Sequence, residues 1–255
     1  MRRSNTFKNS VFLLLMLSVL FMGGCATKPI TGPKTEPAMR QNAELVSKDT
    51  DSGVKIYDPL EGFNRGVYRF NYYFDKYLYL PIVQVYQFIM PDYAEDRVSN
   101  FVDNLFEFNN FTNNLLQLKF KAAGITLARF AINTTVGVAG LWDPATTWSM
   151  HQKPEDFGQT LGHYGVGGGP YLVLPILGPS NLRDTTGFIG DTLAFNNFGP
   201  VAWVDDDGFT LGFTVISAID KRKRIPFRYY GTGSPFEYER IRLLYTKKRE
   251  LLIID

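Results

Sequence analysis

The stretch Asp58-Pro59-Leu60-Glu61-Gly62-Phe63-Asn64-Arg65-Gly66-Val67-Tyr68-Arg69-Phe70-Asn71-Tyr72-Tyr73-Phe74-Asp75-Lys76-Tyr77 decides the fold. Within it Phe63, Val67, Phe70, Phe74 and Tyr77 recur at spacings of three and four, the period of a helix and not of a strand. Pro59 stands before this helix, and Pro81 is expected to interrupt the chain just beyond it. Further on, Asp92 with Glu95 reads as a capped start, and Val98, Phe101, Val102 and Leu105 supply the next apolar face. A third segment, from about Phe111 to Asn133, carries Leu115, Leu116, Phe120, Leu127 and Phe130, with Gly124 as its expected weak point.

Helical patterning returns near the C-terminus. Leu182, Ile189 and Leu193 fit one short helix. Phe209, Phe213, Ile216 and Ile219 fit another, ended by Lys221-Arg222-Lys223-Arg224, where cations suit a helix C-terminus. That basic run reads as a solvated helix end, or alternatively as a contact for lipid phosphates or an acidic partner. The last helix is expected to open with Ser234 as cap, Pro235 at the first position and Glu237 completing a capping box. There is no internal repeat and no alternation long enough for a barrel, so the expected class is all-α. Between these helical halves, Thr135 to Pro179 is rich in Gly and Pro yet apolar. Loops are ordinarily polar because they face water, so this one is expected to be buried or to touch lipid.

The N-terminus carries a targeting signal. Arg2, Arg3 and Lys8 precede an apolar run from Val11 to Phe21, which is shorter than the roughly 20 residues a spanning helix needs. It closes at Met22-Gly23-Gly24-Cys25, and Cys25 is the single cysteine of the chain. This resembles a bacterial lipobox, so residues 1–24 are expected to be a lipoprotein signal peptide and Cys25 the lipidated residue. Ala26, in place of an Asp, favours sorting to the outer membrane. Residues 25–56 are polar, hold several Pro and Gly and lack aromatic residues before Tyr57. They read as a flexible tether spanning roughly 30 Å. Residues 57–255 are then the folded domain.

Composition excludes several functions. A net charge of +2 carries no nucleic-acid signature. His151 and His163 lie in no metal-ligand spacing, and no Gly-x-Ser-x-Gly elbow occurs. Gly165-Val166-Gly167-Gly168-Gly169 lacks the Lys-Ser/Thr of a phosphate loop. Asp205-Asp206-Asp207-Gly208 does not fit a calcium loop and reads as a solvated turn before the helix at Phe209. No catalytic residue, metal or cofactor is expected. The 21 Phe and 14 Tyr suit a packed core, and the tyrosines also suit a membrane interface.

Several segments together resemble the MlaA (VacJ) lipoprotein family. They are Asp58 to Arg65 with Phe70-Asn71, then Asn114-Leu115-Leu116-Gln117 with Lys119-Phe120, then Arg129-Phe130-Ala131-Ile132-Asn133-Thr134. Phe157 to Gly162, Gly169-Pro170-Tyr171, Leu174-Pro175 and Leu182-Arg183-Asp184 come next in order. The resemblance implies a ring-shaped helical domain embedded at the periplasmic face of the outer membrane, with a glycine-rich apolar loop. It implies a transport component, with no chemical step, that removes misplaced phospholipids from the outer leaflet. A periplasmic carrier of the MlaC type and a trimeric porin are the implied partners. On this reading Asn64, Arg65, Phe70, Asn71, Arg129 and Arg183 are candidates for the lipid path, and Gly165, Gly167 and Gly169 for a gate. For Asn64, Arg65 and Asn71 the alternative is helix capping or inter-helix hydrogen bonding. For Arg129 and Arg183 it is pairing with Asp184 or another carboxylate, and for the glycines a tight turn between packed elements. The alternatives are a structural envelope lipoprotein or porin adaptor, and an envelope phospholipase, for which the chain offers no recognisable nucleophile.

Overall fold

The computed structural model describes residues 56–204 and 206–254. The proposed signal peptide, Cys25 and nearly all of the tether lie outside the described residues, as does Asp205. Among the described residues nine α-helices form the domain: α1 (Glu61–Phe74), α2 (Leu80–Ile89), α3 (Asp92–Leu116), α4 (Phe120–Thr135), α5 (Pro144–Thr147), α6 (Phe157–His163), α7 (Leu182–Phe198), α8 (Asp207–Lys223) and α9 (Glu237–Ile254). The all-α class holds. A two-stranded antiparallel ribbon, β1 (Tyr171–Leu174) with β2 (Gly178–Asn181), is added within the apolar glycine-rich loop. A short 3-10 turn, Pro200–Trp203, comes after α7.

Pro81 does not break its helix. Asp75–Tyr79 between α1 and α2 forms a π-helical turn, in which the Leu80 N–H reaches the Asp75 carbonyl. Proline has no N–H to give and crowds the carbonyl four residues back, and the wider turn absorbs both defects. The break expected at Gly124 lies instead at Gln117–Lys119, where Leu118 takes φ +60° and α3 folds back on α4. Gly124 sits inside α4 with open space where a Cβ would be.

The cap expected at Asp92 is absent and the one at Ser234 is half formed, Ser234 Oγ accepting from the Phe236 N–H at 3.2 Å. Pro91, not a side chain, precedes α3, and Glu95 is buried against Lys223 at 2.9 Å. Asp92 is left as the acidic residue of the first turn, where the helix dipole favours it. Glu237 does not reach back to Ser234. It is buried, and accepts from the Tyr68 hydroxyl at 2.7 Å and from Thr232 Oγ1 at 2.8 Å. Burial selects these partners because a carboxylate taken from water needs several donors. Asp206, by contrast, caps α8 as the expected solvated turn, accepting from the Phe209 N–H at 2.6 Å.

Two clusters fill the interior. Val102, Phe195, Val201 and Phe213 join α3, α7, the 3-10 turn and α8, with Val98, Phe101 and Leu105 packed on them as the sequence pattern predicts. Val67, Tyr68, Tyr171, Val173 and Tyr238 join α1, the ribbon and α9. Close approach elsewhere depends on glycine: a Cβ on Gly187 of α7 would lie 2.2 Å from the Gly158 nitrogen of α6.

The distribution of polarity departs from that of an ordinary water-soluble domain. Among the described residues 22 polar or charged side chains are buried against 12 apolar ones, while 40 large apolar side chains are exposed. Soluble proteins bury charged and amide groups sparingly and keep exposed apolar patches small. The helix that decides the fold shows the same departure. Asn64, Val67, Tyr68 and Asn71 face inward on α1, whereas Phe63, Phe70 and Tyr77 of the predicted apolar stripe are exposed. The outward face continues on α2 through Ile82, Val85 and Ile89, with Phe88 91% exposed. No described helix is long and apolar enough to cross a membrane.

Candidate functional site

The inward polar face of α1 positions the ribbon. Asn64, fully buried, donates to the Tyr171 carbonyl at 3.0 Å and accepts from the Val173 N–H at 2.9 Å. Asn71 repeats the pattern on the Leu174 carbonyl at 2.9 Å and the Ile176 N–H at 2.7 Å. Seven helical residues advance about 10.5 Å. Three strand residues, the step from Val173 to Ile176, advance about 10 Å. Two asparagines two turns apart therefore match the open edge of the ribbon and replace a third strand. Ile176, at φ +67°, sits in the turn that this pairing holds.

Beside that turn lies a cavity of about 390 Å³, open to the surface and lined by α1, the π turn, the ribbon turn, the end of α8 with the segment after it, and α9. The volume falls in the usual range for small-molecule ligands. Its walls are mainly apolar: Phe74, Ile176, Leu177, Ile225, Phe227 and Leu244 among them. One wall holds a buried ion pair, in which Arg222 grips Asp75 through Nε at 2.6 Å and Nη2 at 2.8 Å. The same guanidinium donates to the Ile225 and Phe227 carbonyls. The hydrogen bond to Asp75 holds Arg222 protonated and pushes its pKa above the usual arginine value despite burial. Burial, with the Asp75 charge beside it, pushes the Tyr229 hydroxyl up to about 12.

The basic run is thus a solvated helix end only in part. Arg222 is buried with Asp75 and Lys223 pairs with Glu95, whereas Lys221 and Arg224 are exposed, Arg224 pairing with Asp103 and Asp220. Sequence patterning does not mark Asp75, and it marks Arg222 only as one of a basic run open to contact with phosphates or an acidic partner. The available signal is an aspartate set among Tyr72, Tyr73 and Phe74, because a carboxylate buried with aromatics requires a cation.

Polar clamps flank the part of α9 that lines the cavity. Asp58 accepts from the Tyr238 hydroxyl at 2.6 Å and from Arg242 at 2.7 Å. At the other end Arg249 pairs with Asp156 at 2.6 Å and with Asp184 at 2.8 Å, and the Tyr245 hydroxyl also donates to Asp184. Burial pushes the Asp156 carboxyl up, but Arg249 outweighs it and holds the pKa below the usual value.

The other sequence candidates are spread through the fold. Arg65 pairs with Glu61 and Glu239 and lies over the Tyr238 ring at 4.3 Å. Phe70 is half exposed and stacks on Phe74, which lines the cavity. Arg129 is buried with its guanidinium engaged by Glu107, Asp143, Thr146 and the Met150 carbonyl. Arg183 makes two bonds to Asp184 and one to the Val166 carbonyl. Gly165 and Gly169 adopt φ +84° and +68°, conformations that glycine tolerates, whereas Gly167 has a negative or extended φ and open space around it. Asn64 and Asn71 are brought together by the ribbon, Asn71 lining the cavity; Arg129 and the three glycines do not line it. Among the described residues no group of His, Cys, Asp and Glu could hold a metal ion.

An interior rich in amides and ion pairs, a surface carrying many large apolar side chains and an apolar-walled cleft define a helical protein suited to contact with an apolar surrounding. A model described as MlaA lipoprotein matches residues 56–252, and the chain belongs to the MlaA lipoprotein family. An uncharacterized protein of Rickettsia typhi is 38% identical over 199 residues, covering 77% of this chain and 78% of its own. The intermembrane phospholipid transport system lipoprotein MlaA of Escherichia coli (strain K12) is 40% identical over 138 residues, 52% of this chain and 55% of that one. The Haemophilus influenzae protein of the same name is 30% identical over 187 residues, 72% and 67% respectively. A solved structure from work on the structural basis for maintenance of bacterial outer membrane lipid asymmetry superposes with TM-score 0.63 at 30% identity, covering 77% of this chain and 98% of that one.

Proposed function

We propose that this chain is an outer-membrane lipoprotein that removes misplaced phospholipids from the outer leaflet and passes them to a periplasmic carrier of the MlaC type. The observation that carries this reading is the apolar-walled cavity, which offers an acyl chain a path with polar groups at its edges. The distribution of polarity supports it: exposed Phe63, Phe70, Ile82 and Phe88 suit a leaflet, and the buried amides and ion pairs suit a domain shielded from water. Cys25 is the residue we assign to lipidation, at the periplasmic face, with residues 1–24 removed as a signal peptide. A trimeric porin is the partner we assign to the exposed apolar surface. Asn64, Asn71 and Phe70 act by shaping the cavity wall. Arg65 and Arg129 act through the ion pairs that tie α1 to α9 and α4 to α3, Arg183 positions Asp184 for its pair with Arg249 of α9, and Gly165, Gly167 and Gly169 give the loop before β1 its freedom. Passage down a gradient needs no covalent step, so the chain works without catalysis or cofactor.

The test is surface-exposed phospholipid in the intact organism and in one lacking the chain, with lysophospholipid assayed alongside. Loss of the chain is expected to raise outer-leaflet phospholipid, and the wild-type chain to reverse this where Cys25→Ala does not. Unchanged outer-leaflet phospholipid would remove the transport reading in favour of a porin adaptor. Lysophospholipid released by the purified chain would replace it with a phospholipase.

A further inference from the structure

The cavity wall supplied by α9 is a single helical stripe, Ile241, Leu244, Tyr245 and Lys248, at spacings of three, one and three. Three of its members are apolar or aromatic and the last is a cation. Each other polar group of the cavity already has a partner within the fold. Asn71 is bound on both sides by the ribbon backbone. Asp75 and Arg222 neutralise one another, and Arg222 has further bonds to two carbonyls. Tyr79 donates to the Ala218 carbonyl at 2.8 Å, Tyr245 donates to Asp184, and Tyr229 hydrogen-bonds Asn71. Lys248 differs from all of these. It is exposed, and it forms no ion pair among the described residues, although its neighbour Lys247 pairs with Glu250 and Arg249 pairs with Asp156 and Asp184.

We propose that Lys248 is the specificity-determining residue of this cavity, selecting amphipaths that carry a negative charge at their polar end. The acyl chain lies along Ile241 and Leu244, and the anionic group meets the Lys248 ammonium at the rim. A lysine suits this position because its stem extends along the apolar wall while its ammonium stays in water. The Asp75–Arg222 pair, being neutral overall and internally satisfied, offers nothing to a second charge. The inference rests on the cavity being the lipid site, and it adds the charge requirement. A phosphodiester and a fatty-acid carboxylate share the required chemistry, and the test separates them.

The test places a benzoylphenylalanine photocrosslinker at Leu177, in the ribbon turn of the full-length chain, in non-ionic detergent. Labelled phosphatidylglycerol, oleate and uncharged dioleoylglycerol are offered in turn. Phosphatidylglycerol is expected to crosslink more than dioleoylglycerol, with Lys248→Glu reducing its capture about fivefold and Lys248→Arg keeping it, the scale of a partly solvated ion pair. Oleate captured as well as phosphatidylglycerol assigns the selectivity to the charge alone; oleate captured poorly assigns it to the phosphodiester. Equal crosslinking of charged and uncharged lipids, indifferent to Lys248→Glu, overturns the role of Lys248 and leaves the cavity as the lipid site. Absence of crosslinks to all three lipids overturns the lipid site itself. Lys248 is exposed, so its variants keep the fold, which helical circular dichroism checks.

Discussion

The two interior clusters solve the same packing problem with different chemistry. Around α3, α7 and α8 the contacts are between phenylalanines: Phe106 stacks on Phe195 at 5.2 Å, and Phe195 on Phe213 at 5.7 Å. Around α1, the ribbon and α9 they are between tyrosines, and Tyr68 meets Tyr229, Tyr230 and Tyr238 edge-on. The tyrosine hydroxyls reach carboxylates, Tyr68 to Glu237, Tyr238 to Asp58 and Tyr245 to Asp184. Dispersion and area hold the first cluster and are indifferent to small rotations. Directional hydrogen bonds hold the second and fix α9 in one register. The cavity lies beside the second, where geometry must be exact enough to keep a void open.

The comparison can be broken most forcefully in the phenylalanine cluster. Phe195→Ala is expected to lower stability by about 3–5 kcal/mol, since a large buried ring leaves a void. Denaturant unfolding of the purified chain measures this, and a loss below about 1 kcal/mol would show that the cluster is not a true core. In the tyrosine cluster the comparable change is smaller. Tyr68→Phe keeps the ring and removes one donor to buried Glu237, at a cost of about 1–2 kcal/mol. If it costs nothing, the hydroxyl is not what sets the register of α9.

A third change removes a titrating group from the phenylalanine half. Burial pushes the Asp191 carboxyl up to about 6, although the Phe157 N–H and Asn113 favour its charged form. The folded protein therefore binds this proton more tightly than the unfolded chain does. Its contribution is full below the unfolded pKa, near 4, and is lost as pH rises through about 6. With solvent access discounted, the fall between these values is about 1 kcal/mol. Asp191→Asn is expected to remove that slope, as tracked by unfolding from about pH 4 to about pH 7.

Helical content is legible in the sequence because spacings of three and four survive in either environment. Which face points inward is not. The stripe Phe63 and Phe70, continued by Tyr77 in the π turn, marks the outer face, while Asn64 and Asn71, which periodicity would send to solvent, bind the ribbon. The ribbon itself is hidden because Gly178-Pro179-Ser180-Asn181 lacks strand-forming residues, and its order comes from pairing with β1. The motif Asp58 to Arg65 points to the family, yet the cavity depends on Asp75, Arg222 and the α9 stripe. These are contributed by segments far apart in the chain, and single-sequence patterning does not link them.

The π turn at Asp75–Tyr79 works as a phase shifter. An α-helix rotates by about 100° per residue, so the extra residue of a π turn offsets everything after it by that angle. Asp75 can then look into the cavity towards Arg222 while Leu78, Ile82 and Val85, only a turn or two later, look outward. A single continuous rod thereby addresses two surroundings, and the deletion of one residue within Asp75–Tyr79 would swing the apolar face of α2 a quarter-turn around its axis.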